Sequence, residues 1–355
     1  MTVPVDLPPE PWTGRDDGPG TDNLRWHHIV GMGTAQTQEQ TQEWDAAFVG
    51  FRSDEGVRRN KGRPGAAAGP AALRAALAPM ALPQPLQALD AGDITVGDGD
   101  LEAGQQRLAR AVTLLLDRRR GRPVVVLGGG HEVAYGSYLG LADSRAVLDG
   151  ARLGVLNLDA HFDLRDDDRP SSGTPFLQMA RGEEQHGRRL NYAVLGVSQP
   201  SNTQRLFHTA EKLGVRYLRD TECGALCVAG VDLFVDAFLA GCDIVHLSID
   251  LDVLPAAAAP GVSAPAAYGV PMEIIEYVCA RVAASGKLAL CDVAELNPDL
   301  DADHRTARAG ARLVHRIVTS PVTGETPAGE ALAGQTLAGA AQRAFPAAER
   351  LQPDP

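Results

Sequence analysis

Six short apolar runs punctuate the middle of the chain: Ala46–Phe51, Pro123–Leu127, Leu153–Leu158, Tyr192–Val197, Ile244–Ile249 and Leu288–Val293. They are rich in Leu and β-branched residues and do not alternate with polar ones. That pattern predicts strands of a parallel sheet covered on both faces. Between them lie stretches with apolar residues at helical spacing. Leu101–Arg119 has a basic C-terminal end that suits a helix dipole, Met272–Ala284 begins after Pro271, and Asp303–Ile317 follows the last run. Strand–helix alternation on this scale predicts an α/β fold, a parallel sheet between two layers of helices. The first 40 or so residues, rich in Pro, Gly, Asp and Gln, show no apolar period and are expected to wrap the surface. The tail is Ala-, Gly- and Pro-rich, with one helical pattern at Ala328–Arg343 that Pro346 would stop. The expected division is therefore a wrapping segment 1–45, a single domain 46–318 and a tail 319–355.

Ligands of such sheets sit beyond the carboxyl ends of the strands, and four runs end in residues that a core would not choose. Val124–Leu127 runs into Gly128-Gly-Gly-His131-Glu132, and Leu153–Leu158 into Asp159-Ala-His161-Phe-Asp163. Ile244–Ile249 runs into Asp250-Leu-Asp252, and Leu288–Val293 through Ala294 into Glu295-Leu-Asn-Pro298. In extended backbone the i, i+2, i+4 spacing of Asp159, His161 and Asp163 faces one way, as does that of Asp250 and Asp252. With His131 this brings two imidazoles and four carboxylates to one sheet edge. Two carboxylates about 4 Å apart repel by roughly 4 kcal/mol at an effective dielectric near 20, so four in one pocket need cations. Two divalent ions balance the charge. Carboxylate and imidazole donors without thiolate favour Mn²⁺ over a thiol-bound zinc site. A pair of such ions about 3.5–4 Å apart can share a hydroxide and aim it at an electrophilic carbon.

Each motif alone has a plainer reading: a turn His, a solvated acidic loop, an ordinary strand end. All three follow apolar runs and complement one another in residue type, which favours the joint site. His246, inside an apolar run, reads as a core histidine, and Asp166-Asp-Asp168 as a solvated loop. The remaining histidines show no partner spacing. Gly128-Gly-Gly130 lacks the Lys-Ser/Thr or Gly-x-Gly-x-x-Gly context of a phosphate loop.

Composition narrows the class. The 355 residues carry 33 Lys+Arg against 45 Asp+Glu, a net charge of −12. The balance argues against a nucleic-acid partner. No apolar run approaches a bilayer span of about 20 residues, and no secretory leader is visible at the start. The five cysteines are scattered and read as free thiols of a cytoplasmic protein.

The motifs GGGHE, DAHFDLR, SIDLDVLP and DVAELNP, in that order, resemble the arginase/agmatinase (ureohydrolase) family of binuclear manganese hydrolases. The resemblance runs from about Ala46 to Val318. It implies a single three-layer α/β/α domain with a central, mostly parallel eight-stranded sheet. It implies one manganese held by His131, Asp159, Asp163 and Asp250, and another by Asp159, His161, Asp250 and Asp252. Glu295 falls where the family places the carboxylate that grips an amidine or guanidine. It also implies a homo-oligomer.

Trp12-Thr-Gly-Arg-Asp16, Arg25-Trp-His27, Gly50–Asn60, Gly62-Arg63, Gly69-Pro70, Ser172–Phe176 and Ala259–Pro265 resemble one subgroup, which acts on an amidine bearing two carboxylates. Such a substrate calls for arginines. Arg165, two residues past Asp163, is the leading candidate, with Arg58, Arg59, Arg63, Arg169 and the polar Asn60 behind it. Arginases and agmatinases carry a His-Gly pair after the Asp-x-His-x-Asp segment, assigned to proton shuttling. Here the stretch is Ser172-Gly-Thr-Pro-Phe176, which leaves Asp163 or solvent to move the proton. The alternatives are a hydrolase of another guanidino or formimidoyl acid, agmatinase- or guanidinobutyrase-like, and a metal-stabilised binding protein without turnover.

Overall fold

The protein is described from a computed structural model covering residues 3–33, 44–119 and 121–321. The pattern at Ala328–Arg343 lies outside the described residues. Among the described residues nine strands form one sheet: β1 (Val30–Met32), β2 (Ala46–Arg52), β3 (Ala88–Thr95), β4 (Val124–Leu127), β5 (Leu153–Leu158), β6 (Asn191–Val197), β7 (Arg216–Arg219), β8 (Ile244–Asp250) and β9 (Leu288–Ala294). Their order is β1-β3-β2-β4-β9-β8-β5-β6-β7, and every neighbouring pair is parallel.

The absence of alternation in the apolar runs has its cause in two buried faces. Val125 and Leu127 enter one core, with helices Gly69–Leu77, Val228–Ala240, Met272–Ala284 and Arg305–Thr319 over it. Val124 and Val126 enter the opposite core, under helices Leu101–Leu116 and Val133–Ala142. Phe48 and Val49 divide in the same way.

All six predicted strands are present, and the three helices with them. The sheet has nine strands rather than eight, because the segment expected only to wrap the surface supplies an edge strand. β1 pairs with Ala88–Asp90, and the same segment buries Trp26 fully. β3 was not read as a strand because its sequence, ALDAGDIT, carries two acids. Both are compensated: Arg74 reaches Asp90 at 2.7 Å and Asp93 at 2.6 Å, and the Trp12 indole donates to Asp90 at 2.8 Å. A buried charge is tolerated when it is paired and hydrogen-bonded.

Strand order is what assembles the site. The four strands with polar ends, β4, β9, β8 and β5, are consecutive neighbours in the middle of the sheet. All are parallel, so their carboxyl ends open on one edge. The cysteines are free, and four of the five are buried. Among the described residues no helix is long and apolar enough to cross a membrane.

Candidate active site

A cleft of about 340 Å³ opens at that edge. His131, His161, Asp163, Asp250, Asp252 and Glu295 line it, with Asn60, Lys61, Arg63, Arg165 and Ser172 further round the wall. His131, Asp159, Asp163 and Asp250 offer ligand atoms within 4.8 Å of one another; so do Asp159, His161 and Asp252. Asp159 belongs to both sets, whereas Asp250 joins only the first.

The residues converge, but not through the strand pleat. β5 ends at Leu158, and the backbone then bends so that Asp163 has a left-handed φ of 47°. β8 ends at Asp250, and Asp252 sits in the following 3₁₀ turn, Leu251–Val253. Short hydrogen bonds fix these bends. The amide of His161 donates to Asp159 at 2.6 Å, that of Asp252 to Asp250 at 2.8 Å, and the Asn157 side chain to Asp159 at 2.9 Å. Glu295 also has a positive φ, 68°, and its amide donates to the Gly129 carbonyl at 2.8 Å. Non-glycine residues held there cluster at functional sites.

The glycine run before His131 is a packing requirement. A Cβ on Gly129 would lie 1.8 Å from the Ser53 carbonyl oxygen. The turn docks there, with the Gly130 amide donating to that oxygen at 2.9 Å.

The imidazole of His131 tests whether the cluster suits a cation. Its Nε2 lies 2.9 Å from Ser248 Oγ, and the Ser248 hydroxyl gives its hydrogen to Asp292, which also holds His246 at 2.5 Å. With its hydrogen committed, Ser248 accepts from Nε2–H. The Nδ1 lone pair is then directed into the site. Nδ1 is buried without a hydrogen-bond partner and lies 3.2, 2.9 and 3.2 Å from oxygens of Asp159, Asp163 and Asp250. A lone pair facing three carboxylates is untenable without a proton or a cation between them. His161 faces Asp159 at 3.4 Å and Asp252 at 3.0 Å in the same way. The donor set fits divalent cations.

The protonation equilibria report the same crowding. Burial pushes Asp250 well above the ordinary carboxyl range, and the charges of Asp252 and Asp159 push it further. Burial disfavours a charged His131, but the surrounding carboxylates outweigh it and raise the imidazole well above its usual value. Burial would also raise Asp159, yet the two imidazoles hold it low. Glu295 is pushed up to about 8 by burial and by the charge of Glu132.

Of the expected substrate contacts, Glu295, Arg165 and Asn60 line the cleft. Arg58 does not: it is exposed and paired with Glu55 and, at 2.9 Å, with Asp54. An arginine between two acids of its own helical turn has no reason to turn inward. Arg59 is likewise engaged, bonding Glu55, Glu102 and the carbonyls of Gly99 and Pro170. Arg169 lines a neighbouring groove instead. Arg63 lines the cleft but donates to the carbonyls of Ser263 and Val262, so it braces the opposite loop. His246 is the expected core histidine, and His186, bonded to the Gly182 carbonyl, is absent from the cleft wall.

Sequence reasoning passed over Glu132, Ser248 and Asp292. Glu132 is fully buried and accepts from Ser53 Oγ at 2.8 Å and the Gly56 amide at 2.9 Å, tying the loop after β2 to the His131 turn.

A parallel α/β sheet whose strand ends gather six carboxylate and imidazole side chains beside a buried glutamate defines the class. The arginase family model matches residues 44–319, and the chain belongs to the arginase family. It is 59% identical over 318 residues to a formimidoylglutamase of Nocardia farcinica, covering 90% of this chain and 98% of that one. It is 57% identical over 316 residues to a formimidoylglutamase of Rhodococcus opacus, with coverage of 89% and 97%. Among solved structures, a formiminoglutamase of Trypanosoma cruzi crystallised with Mn²⁺ superposes with a TM-score of 0.68 at 28% identity, covering 78% of this chain and 93% of that one. The formimidoylglutamase of Bacillus subtilis superposes with a TM-score of 0.73 at 21% identity, covering 86% and 95%.

Proposed function

We propose that the chain is a metal-dependent hydrolase that cleaves N-formimidoyl-L-glutamate to L-glutamate and formamide, a reaction of histidine degradation, with residues 46–318 as its catalytic unit. The observation that carries this reading is one cleft holding a cluster of carboxylates and imidazoles that could hold metal, a buried carboxylate and an arginine with no side-chain partner among the described residues.

His131, Asp159, Asp163 and Asp250 would hold one manganese ion, and Asp159, His161 and Asp252 the other. The family pattern would add Asp250 to the second set. Metal held by these residues would supply hydroxide near neutral pH. Glu295 pairs with the cationic amidine and fixes the formimidoyl carbon in the cleft. Its own environment prepares it for this, since a buried carboxyl pushed up to about 8 gains most from an arriving cation. Asp163 accepts the proton released as the new C–O bond forms and delivers it to the glutamate nitrogen as the C–N bond breaks. Arg165 and Asn60 receive the carboxylate end. Asn60 donates to Ser172 Oγ at 3.1 Å, and a Cβ on Gly173 would lie 2.8 Å from Arg165 Cδ and 3.2 Å from Asn60 Nδ2. The segment that lacks the His-Gly pair thus provides the floor under these two side chains.

The test is release of formamide from formimidoyl-glutamate by manganese-loaded protein, run beside agmatine, arginine and guanidinobutyrate. Preference for formimidoyl-glutamate by at least tenfold in kcat/KM is expected. Faster turnover of any guanidino compound would overturn the assignment.

A further inference from the structure

Several surface arginines of this acidic protein are neutralised by carboxylates, as Arg152 is by Asp243, Arg181 by Asp166, Arg281 by Asp236 and Arg312 by Glu276. Three cations on the cleft wall have no carboxylate partner among the described residues, and one of them, Arg63, is spent on the carbonyls of Ser263 and Val262. Lys61 and Arg165 both line the cleft that holds Glu295, and neither side chain makes an ion pair or hydrogen bond among the described residues. They also share the wall of the adjoining groove. Asp167 and Asp168 line that groove too, yet neither is paired with them.

Lys61 is the more telling of the two. Its φ is 61°, a left-handed conformation that glycine adopts freely and lysine does not. The surrounding turn is fixed on both sides. The Gly62 amide donates to Val57, the Arg63 amide to Ser263 Oγ at 2.8 Å, and a Cβ on Gly62 would meet Ser263 Oγ at 2.6 Å. A charged residue thus stands, without a counter-charge, where the backbone would favour glycine, at the mouth of a cleft.

We propose that Lys61 and Arg165 form a two-point clamp for a dicarboxylate, each taking one carboxylate of the substrate, with Lys61 the specificity-determining residue. The clamp deepens the reading given above and rests on it for the identity of the substrate. Arginine offers a planar fork that meets a carboxylate with two hydrogen bonds, whereas lysine offers a point charge that follows a mobile one. A positive rim on a chain of net charge −12 also draws an anion locally to a surface that otherwise repels it.

The experiment compares Lys61→Gly, Arg165→Met and the unaltered manganese-loaded protein. Glycine suits the backbone at residue 61, so loss of binding there is not loss of folding, and an undiminished thermal midpoint verifies this. L-Glutamate binding is measured by calorimetry, and KM is measured for formimidoyl derivatives of L-glutamate, γ-aminobutyrate and L-2-aminobutyrate. Each variant is expected to weaken L-glutamate at least tenfold. One variant is expected to raise KM mainly for the γ-aminobutyrate derivative, the other mainly for the L-2-aminobutyrate derivative. L-Glutamate binding by Lys61→Gly within twofold of the unaltered protein overturns the clamp, as does an equal effect of both variants on both monocarboxylates. The two readings fail separately. Absent turnover with L-glutamate binding weakened at least tenfold in each variant refutes the reaction and keeps the clamp. Normal turnover with KM unmoved in Lys61→Gly does the reverse.

Discussion

Ser248 has one hydrogen to give, and its destination determines which nitrogen of His131 carries the ring proton. Asp292 takes that hydrogen, so Ser248 accepts from Nε2 and the Nδ1 lone pair is free for a cation. In Asp292→Asn the side-chain amide can donate to Ser248. The hydroxyl would then turn toward Nε2, and the proton would shift to Nδ1. Metal affinity is expected to fall by about 10–100-fold, the usual consequence of losing an outer-shell partner, as read by elemental analysis after dialysis against graded free manganese. Unchanged occupancy would refute the relay. The six clustered side chains were legible because their residue types are rare at strand ends, whereas Ser248 and Asp292 lie inside apolar runs. One signal was available: His246, Ser248 and Asp250 alternate on one side of β8, while Leu247 and Ile249 enter the core on the other. A polar face on a strand buried on both sides requires a partner, and β9 supplies Asp292 opposite Ser248. Nothing comparable marked Lys61, whose unusual backbone is invisible in residue type.

At the level of the element, turns rather than strands place the chemistry. Asp159, His161 and Asp163 converge as expected, but not through the pleat that was expected to align them. An extended run would have carried Asp163 two pleats, roughly 13 Å, beyond Asp159; the bend with its left-handed residue folds it back instead. The Gly128-Gly-Gly130 turn is equally exacting. In Gly129→Ala the new Cβ meets a backbone oxygen of Ser53 at 1.8 Å, which no rotamer relieves. Overpacking of this kind costs typically about 1–3 kcal/mol. The urea midpoint is expected to fall accordingly while the circular dichroism of the folded protein is unchanged. An unshifted midpoint would mean the turn has slack that the packing does not show.

The whole molecule stores unbalanced charge at one edge of its sheet, and its stability should reveal whether cations offset it. What the linear sequence withheld was strand order: local patterns named the polar strand ends, but only the long-range pairing β4-β9-β8-β5 makes them neighbours. Once they are neighbours, folding without metal forces protons onto them. Burial, with the charge of Glu132, raises Glu295 from an ordinary 4.5 to about 8, and burial raises Glu132 to about 7. Between the unfolded and folded values the native state holds the extra protons, so stability falls as pH rises from about 4.5 toward 8. His131 and His161 act with the same sign, since their raised values stabilise the charged ring and that gain is lost as pH climbs through them. Asp159 and Asp292 are held low, so their contribution is complete and constant near neutrality. The thermal midpoint in chelator is therefore expected to decline from pH 6 to pH 8. Manganese should raise the midpoint at both, and more at pH 8, because ions bind the native state in competition with those protons. Thermal unfolding at pH 6, 7 and 8, with chelator and with excess manganese, measures both slopes. A chelated protein that gained stability across that interval, or an equal manganese effect at every pH, would show that the carboxylate cluster is neutralised from within the protein and needs no cation.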